Sequence, residues 1–318
     1  TNDMSVLKGL KIRGLTDIPN LEKALFIIFL MLYIFTILGN GGMILLITRS
    51  HNLHTPMYYF LRHLSFIETC YSSVIIPRTM SDFLSSDKAI SYIACALQMY
   101  FFVALANTEC LLLSIMAYDR YAAICKPLFY YTIMRQEVCI ALSVVCYAGG
   151  FFDSMIHTRN VFTQTYCKSN EISHYLCEPP PVLKLSCSDT SSTELVIFTV
   201  VGINFFASIL LVVISYAHIF STILNIKSSQ GRQKAFATCS SHLLSIGILF
   251  GTLLYMYMRP TTSYLRDQDK VVSVFYTVII PMLNPIIYSL RNKDVKHYCK
   301  LRNLSEPLFR AYTFKSAV

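Results

Sequence analysis

The chain has 318 residues, of which 54% are hydrophobic and 14% are charged, and its formal net charge is +9. In soluble domains roughly a quarter of all residues are charged. This composition therefore excludes an ordinary soluble enzyme and indicates that much of the protein surface lies in lipid. The 11 cysteines form no CxxC pair and no His/Cys cluster at zinc spacing, so we predict no metal site.

Seven stretches are apolar enough to be candidates for membrane spans, each of which requires about 20 residues. The polar first 23 residues do not have the form of a cleavable signal peptide, so the first span is expected to remain as a signal anchor. The second span is the weakest because it carries Arg62, Glu68 and Arg78. The predicted spans are 24–48, 57–80, 89–118, 138–158, 195–226, 235–258 and 271–290.

These spans predict an all-α integral membrane protein, a seven-transmembrane helix bundle formed by residues 24–290. Residues 1–23 are expected to be extracellular. Residues 291–318 are expected to be a cytoplasmic tail that starts with a short amphipathic helix over 291–300. Internal repeats are absent from the sequence, which gives no support to an inverted-repeat transporter.

The basic residues predict the orientation of the bundle. With the N-terminus outside, 15 of the 27 Lys and Arg residues fall in the inner connectors and tail and 12 in the outer ones, as the positive-inside rule requires. The basic tail then faces anionic membrane lipid, and no nucleic-acid partner is expected. The cysteine-rich connector before the fifth span lies outside, where disulfides form. The candidates are Cys95, Cys167, Cys177 and Cys187.

Five motifs carry a family resemblance: LHTPMYYFL (53–61), MAYDRYAAICKPLFY (116–130), SYAHI (215–219), KAFATCSSHL (234–243) and PMLNPIIYSLRNKDVK (281–296). In this order, at the ends of these spans, they closely resemble the olfactory-receptor branch of the rhodopsin-like G-protein-coupled receptors. The resemblance implies a receptor for small volatile odorants in the plasma membrane of olfactory cilia. It also implies coupling to a stimulatory, olfactory-type G protein that raises cyclic AMP, and no enzymatic activity.

The motif Asp119-Arg120-Tyr121 closes the third span. An arginine beside an aspartate can hold a local ion pair and, once released, offer its planar guanidinium to a partner helix. An ordinary snorkelling arginine is the alternative reading of an isolated pair, but the flanking residues favour an activation switch with a G-protein docking site beside it.

The motif that begins Asn284-Pro285 and ends at Tyr288 lies in the seventh span. Proline removes a helical hydrogen bond and Asn can satisfy the freed carbonyls. We therefore expect a local break that lets the inner end of the helix move, with Tyr216 of the fifth span as a partner of Tyr288.

Two acids, Glu68 and Glu109, lie in the middle of predicted spans, where an acid is costly and indicates function. Two close carboxylates cannot both ionise cheaply, so either one holds a proton or a cation such as sodium bridges them. A single carboxylic acid hydrogen-bonded inside the bundle is the third interpretation.

Helical spacing aligns Phe102, Ala106 and Glu109 on one inward face of the third span. The part of this face nearer the outer side of the membrane, at Phe102 and Ala106, predicts a mostly apolar ligand pocket. Phe102 lies where amine receptors carry an Asp, which argues against a charged amine ligand. The predicted lining, in part from the resemblance, is Phe102, Val103, Ala106, Asn107, Asn204, Phe205, Phe250, Leu254, Tyr257 and Thr277.

The resemblance further implies the disulfides Cys95–Cys177 and Cys167–Cys187. His174 and Glu178 also resemble part of a loop motif proposed to bind a metal ion in this family, but two ligands alone make a poor metal site. The chain has no Trp, so its sixth span lacks the Trp of many related receptors, and it reads Leu249-Phe250-Gly251 where olfactory receptors usually have Phe-Tyr-Gly.

Other functions fit the sequence less well. A rhodopsin-like receptor for a non-volatile lipid or metabolite would share the inner motifs, and a small transporter or channel would need more polar residues across the spans. An intramembrane hydrolase would need a catalytic cluster, whereas His218 and His242 stand near helix ends.

Overall fold

The computed structural model describes residues 9–16, 18–167, 170–257 and 267–291. Within these ranges, seven long helices form a bundle. The seventh consists of Asp267–Val274, a π-helical turn over Phe275–Ile279, and Ile280–Arg291. The first six helices are α1 Pro19–Arg49, α2 Pro56–Leu84, α3 Tyr92–Cys125, α4 Gln136–Phe162, α5 Ser191–Leu224 and α6 Ser229–Tyr257, and the seventh is α7.

Composition and burial identify these helices as membrane spans. Six of the described helices are long and apolar enough to cross a bilayer. Only 11% of the apolar window of α1 and 17% of that of α5 are buried, so their remaining apolar surface faces outward, as lipid contact requires. The 29-residue α2 is as long but carries Arg62, Glu68, Arg78 and Asp82. The predicted seven-helix membrane bundle is therefore confirmed.

The helix ends differ from the predicted spans. The third span was expected to begin at residue 89, but α3 begins at Tyr92 after Ser91, whose hydroxyl accepts a hydrogen bond from the Ala94 amide at 3.2 Å. Hydropathy did not detect this boundary because the two residues before Ser91 are apolar but form a strand, Ala89–Ile90. The helix also continues past the expected end at residue 118 to Cys125.

A small sheet that the sequence did not predict covers one end of the bundle. Strand β1 (Leu10–Ile12) lies between β2 (Ala89–Ile90) and β3 (Glu171–Ile172), antiparallel to the first and parallel to the second. The disulfides Cys95–Cys177 and Cys167–Cys187 lie at this end, hereafter the disulfide end. They are the pairs that the resemblance implies.

Helix α3 lies at the centre of the bundle and packs against α2, α4 and α5. Its contact with α4 depends on Gly150, where an added Cβ would lie 2.6 Å from the carbonyl oxygen of Ala104. Only glycine allows so close a backbone approach. This contact brings the side chains of α4 into the interior beside those of α3.

Among the described residues, three connectors contain short helical segments, the first of which is the 3₁₀ turn His51–Leu53 between α1 and α2. At the opposite end, hereafter the Arg120 end, a 3₁₀ turn over Pro127–Phe129 leads into Tyr130–Ile133. Residues 163–190, hereafter the long connector, contain the helix Pro179–Leu183. The amphipathic helix predicted over 291–300 lies outside the described residues, apart from Arg291 at the end of α7.

Candidate functional site

A cavity of about 400 Å³ opens inside the disulfide end of the bundle. Helices α3, α4, α5, α6 and α7 and the long connector form its wall, and most of the lining is apolar. Seven of the predicted pocket residues line it: Phe102, Val103, Ala106, Asn107, Asn204, Phe205 and Leu254. Residues from three helices that are distant in sequence thus meet around one space.

The other three predicted pocket residues are placed differently. Phe250 packs against Phe205, with ring centroids 5.4 Å apart, and lies behind the lining. Thr277 is fully buried and its hydroxyl is bonded to the hydroxyl of Tyr175 at 2.8 Å, while the neighbouring Tyr276 lines the cavity. Both residues lie in the π-helical turn of α7, whose extra residue changes which side chains face inward. The side chain of Tyr257 lies outside what the structure describes.

Sequence reasoning missed the parts of the wall that α4 and the long connector contribute. His157 of α4 lines the cavity, as do Pro179, Pro180 and Leu183 of the connector helix. The resemblance pointed to the third, fifth, sixth and seventh helices alone. A signal was nevertheless available, because Asp153 and His157 are polar residues one helical turn apart in an apolar span.

Asn107, Asp153 and His157 form a polar group between α3 and α4. The amide nitrogen of Asn107 donates to Oδ2 of Asp153, and Oδ1 of Asp153 lies 3.7 Å from Nε2 of His157. Asp153 is 3% exposed and His157 is 1% exposed. Of the three, Asn107 and His157 face the cavity, with Asp153 behind them.

The long connector is bonded to α7 above the cavity. The Ser273 hydroxyl donates to the Tyr175 hydroxyl at 3.0 Å and contacts Nε2 of His174 at 3.4 Å. The Leu176 amide donates to the other ring nitrogen of His174. Burial lowers the pKa of His174 to about 3, so this imidazole is neutral at physiological pH and acts as a structural hydrogen-bonding group.

A second bond between the same elements involves a buried acid. The Tyr276 hydroxyl donates to Oε1 of Glu178 at 2.6 Å. Glu178 is 3% exposed, and burial, with a further contribution from Asp269, raises its pKa to about 7. The position of Tyr276 in the cavity wall therefore depends on a carboxyl group whose charge changes near neutral pH.

The two predicted mid-membrane acids meet in the bundle core. Glu68 and Glu109 are each 1% exposed and interact electrostatically. The Asn284 amide was expected to satisfy carbonyls freed by Pro285, but it donates to Glu68. Asn40 instead donates to the carbonyl of Pro281 at 3.0 Å. Three buried oxygens here have no hydrogen-bond partner among the described residues: Asn40 Oδ1, Glu109 Oε1 and Asn284 Oδ1.

At the Arg120 end, the expected ion pair between Asp119 and Arg120 is not formed within the part of the chain that the structure describes. Asp119 accepts a hydrogen bond from the Tyr130 hydroxyl at 2.8 Å, which fixes the connector helix against α3. Arg120 contacts the sulfur of Met57 in α2. Tyr121 lies beside His218 of α5, with ring centroids 5.6 Å apart.

Tyr216 was expected to contact Tyr288 but is bonded to His242 of α6, with 2.8 Å between the hydroxyl and Nδ1. The other ring nitrogen of His242 lies 3.1 Å from the carbonyl oxygen of Leu113 in α3. Because a carbonyl only accepts, Nε2 of a neutral His242 carries the proton and Nδ1 accepts from Tyr216. His242 thus joins α3, α5 and α6, while Tyr288 is buried nearby in α7.

Comparison with known proteins gives a consistent result. A sequence model of the family described as "Olfactory receptor" matches residues 29–306. The chain is 53% identical to human olfactory receptor 5B12 over 283 residues, which are 89% of this chain and 90% of that protein. It is 50% identical to mouse olfactory receptor 5AR1 over 292 residues, 92% of this chain and 94% of that protein. Mouse olfactory receptor 5B21 is 50% identical over 89% of each chain.

Proposed function

The chain belongs to the olfactory receptor family of G-protein-coupled receptors, which are not enzymes, and from that premise we propose its ligands and its signal. The ligands are small, volatile, mostly apolar organic molecules that bind in the cavity at the disulfide end. Binding activates a stimulatory, olfactory-type G protein and raises cyclic AMP.

The cavity is the observation that carries the ligand proposal. Its volume of about 400 Å³ lies in the range of small-molecule sites. Its apolar lining favours transfer of an apolar ligand from water, at roughly 25 cal/mol for each Å² buried. Phe102, whose side chain is 2% exposed at this wall, has no charge that would attract an ammonium group.

The contacts at the Arg120 end support the signalling proposal. His242 bonds to α3 and α5 at once, so an outward movement of α6 must break two hydrogen bonds. Phe250 lies on the same helix nearer the cavity and packs against Phe205. A ligand that displaces Phe205 therefore acts on α6 through Phe250, and the movement opens a groove for the G protein beside Arg120.

The proposed function also implies where the receptor lies in the cell and which end of the bundle faces outside. The protein is a multi-pass membrane protein, and we place it in the plasma membrane of olfactory cilia with the disulfide end outside. The two disulfides support this orientation because they form in oxidising compartments. The excess of basic residues in the opposite connectors supports it independently.

We further propose that the Glu68 and Glu109 carboxyls hold a sodium ion in the resting receptor. The three unpartnered oxygens beside them are suitable donors, since hard cations prefer oxygen ligands. The ion would supply a positive charge that lets both acids ionise. Its binding is measurable as sodium-dependent thermal stabilisation of the purified receptor, which should be lost in Glu68→Gln and retained in the exposed-site variant Glu137→Gln.

The receptor function is tested with a cyclic-AMP reporter in cells that also express an olfactory-type G protein and a trafficking chaperone. Wild type, Arg120→Ala and the control Arg159→Ala, whose side chain lies at the disulfide end, are compared at equal surface amounts. We expect a dose-dependent response to volatile compounds in wild type and in the control, and none in Arg120→Ala. Silence of all three despite confirmed surface expression would favour a non-volatile ligand or another transducer.

A further inference from the structure

We propose that Asn107, Asp153 and His157 form a polar subsite that selects neutral oxygenated ligands, namely alcohols, aldehydes and ketones. Hydrocarbons, carboxylic acids and amines of the same length are disfavoured. This inference rests on the proposed ligand cavity and names the class of molecule that it binds.

The first observation is an unpartnered polar group in the cavity wall. His157 is 1% exposed and lines the cavity, yet its Nε2 has no hydrogen-bond partner among the described residues. The nearest acceptor is Oδ1 of Asp153 at 3.7 Å, which is beyond hydrogen-bonding distance. Since burying such a group without a partner is costly, a ligand that bonds to the imidazole removes a penalty that the free receptor carries.

The surroundings of His157 select against charged ligands. Oδ2 of Asp153 accepts from Asn107, and Asp153 lies behind Asn107 and His157 and does not line the cavity, so its carboxylate is not open to an ammonium group of a ligand. A carboxylate or an ammonium group placed at His157, which is 1% exposed, leaves water without an ion-pair partner in this part of the lining, and that transfer is costly. The charged residues of the lining, Lys184 and Glu194, belong to the long connector and to the first turn of α5. A neutral polar group is the one that this wall accommodates.

The chemistry of imidazole admits both hydroxyl and carbonyl oxygens. A neutral ring has one donor and one acceptor nitrogen, and a protonated ring has two donors. A second atom without a hydrogen-bond partner among the described residues, Oγ of Ser208, belongs to a residue on the α5 side of the same cavity. The rest of the lining is mainly apolar, so the ligand is expected to carry one or two oxygens and an apolar chain.

The test measures binding separately from signalling. Purified receptor in lipid nanodiscs is titrated with octane, 1-octanol, octanal, 2-octanone, octanoate and octylamine, and binding is read from the shift of the thermal unfolding midpoint. We expect stabilisation by the alcohol, the aldehyde or the ketone at concentrations at least about tenfold below those needed for octane, octanoate or octylamine. A receptor that none of the three oxygenated compounds stabilises, or that octanoate or octylamine stabilises at lower concentration, overturns the proposal.

Variants of one position test the assignment to His157. His157→Phe should weaken binding of the oxygenated compounds about tenfold and leave octane unchanged, whereas His157→Gln, which keeps a donor and an acceptor, should retain much of the affinity. The control is His63→Phe, at a histidine that bonds to Tyr147 outside the cavity. Equal loss for octane and for the oxygenated compounds would mean that His157 acts through packing alone.

The two proposals fail in different ways. Oxygen-selective binding that depends on His157, without a cyclic-AMP response, would refute the signalling proposal and leave the subsite intact. A cyclic-AMP response to hydrocarbons as potent as the response to alcohols would refute the subsite and leave the receptor function intact.

Discussion

Glu178 makes the stability of the receptor depend on pH. Its carboxyl is buried against Tyr276, and its pKa rises from an ordinary value of 4.5 to about 7. The folded protein therefore holds the proton more tightly than the unfolded chain does. The stability contributed by this group is complete below pH 4.5, falls as the pH rises to 7, and changes little above it.

The magnitude follows from the two pKa values. Each pH unit of difference corresponds to about 1.4 kcal/mol, so a rise from 4.5 to about 7 corresponds to about 3 kcal/mol in the free energy of unfolding. Glu178→Gln removes the titrating group and keeps an oxygen that accepts from the Tyr276 hydroxyl. The variant should thus be more stable than wild type at pH 8 and nearly equal to it at pH 5.

The assay is thermal unfolding in nanodiscs between pH 5 and pH 8, followed by circular dichroism at 222 nm because the chain has no Trp. The matched control is Glu137→Gln, which removes a carboxyl that is 79% exposed and should leave the pH profile of wild type unchanged. His174 adds a dependence of the opposite sign below about pH 6.5, because the unfolded chain then binds a proton that the buried ring, with a pKa of about 3, does not. Glu178→Gln retains this contribution, so the difference between the variant and wild type reports Glu178 alone. If Glu178→Gln shows the same pH dependence as wild type, the reasoning about this buried carboxyl is wrong.

Two further predictions concern packing and switching. Gly150→Leu should abolish surface expression because the Cβ of the new side chain would lie 2.6 Å from the carbonyl oxygen of Ala104. The control Gly247→Ala should be expressed normally, since its added Cβ would meet no atom within 4 Å. Equal surface expression of the two variants would contradict the close contact of α3 with α4. His242→Phe removes the bond to Tyr216 and the one to α3, so basal cyclic AMP should rise two- to tenfold, as expected for the loss of about 1 kcal/mol from the resting state. A basal level that stays at the wild-type value, at matched surface amounts, would show that these bonds do not hold α6 in place.

Much of the architecture was predictable because hydropathy is a property of local sequence. Long runs with at most one charged residue specified six spans, and the weaker α2 was identified despite Glu68 and Arg78. The helix ends were less accurate, as the start of α3 shows, because Ala89 and Ile90 are apolar whether they form a helix or a strand.

The candidate site was predictable only in part. The face of α3 that carries Phe102, Ala106 and Glu109 followed from a period of 3.6 residues, and the structure brings Phe102 and Ala106 to the cavity. Thr277 does not line the cavity because it lies in the π-helical turn of α7, in which the number of residues per helical turn differs from 3.6. The partners of Tyr216 and Asn284 depended on which helices lie opposite them, and a sequence pattern carries no such information.

The sequence by itself determined the number of membrane spans, the family motifs, and the inward face of α3, because each follows from residues near one another in the chain. Only the tertiary structure decided that Asn107 and His157 share one wall, and that the long connector reaches α7 through Glu178 and Tyr276. A cavity forms where side chains of separate helices leave space between them. Its chemistry therefore depends on helix rotations and on close contacts such as that at Gly150, which packing of the whole bundle sets.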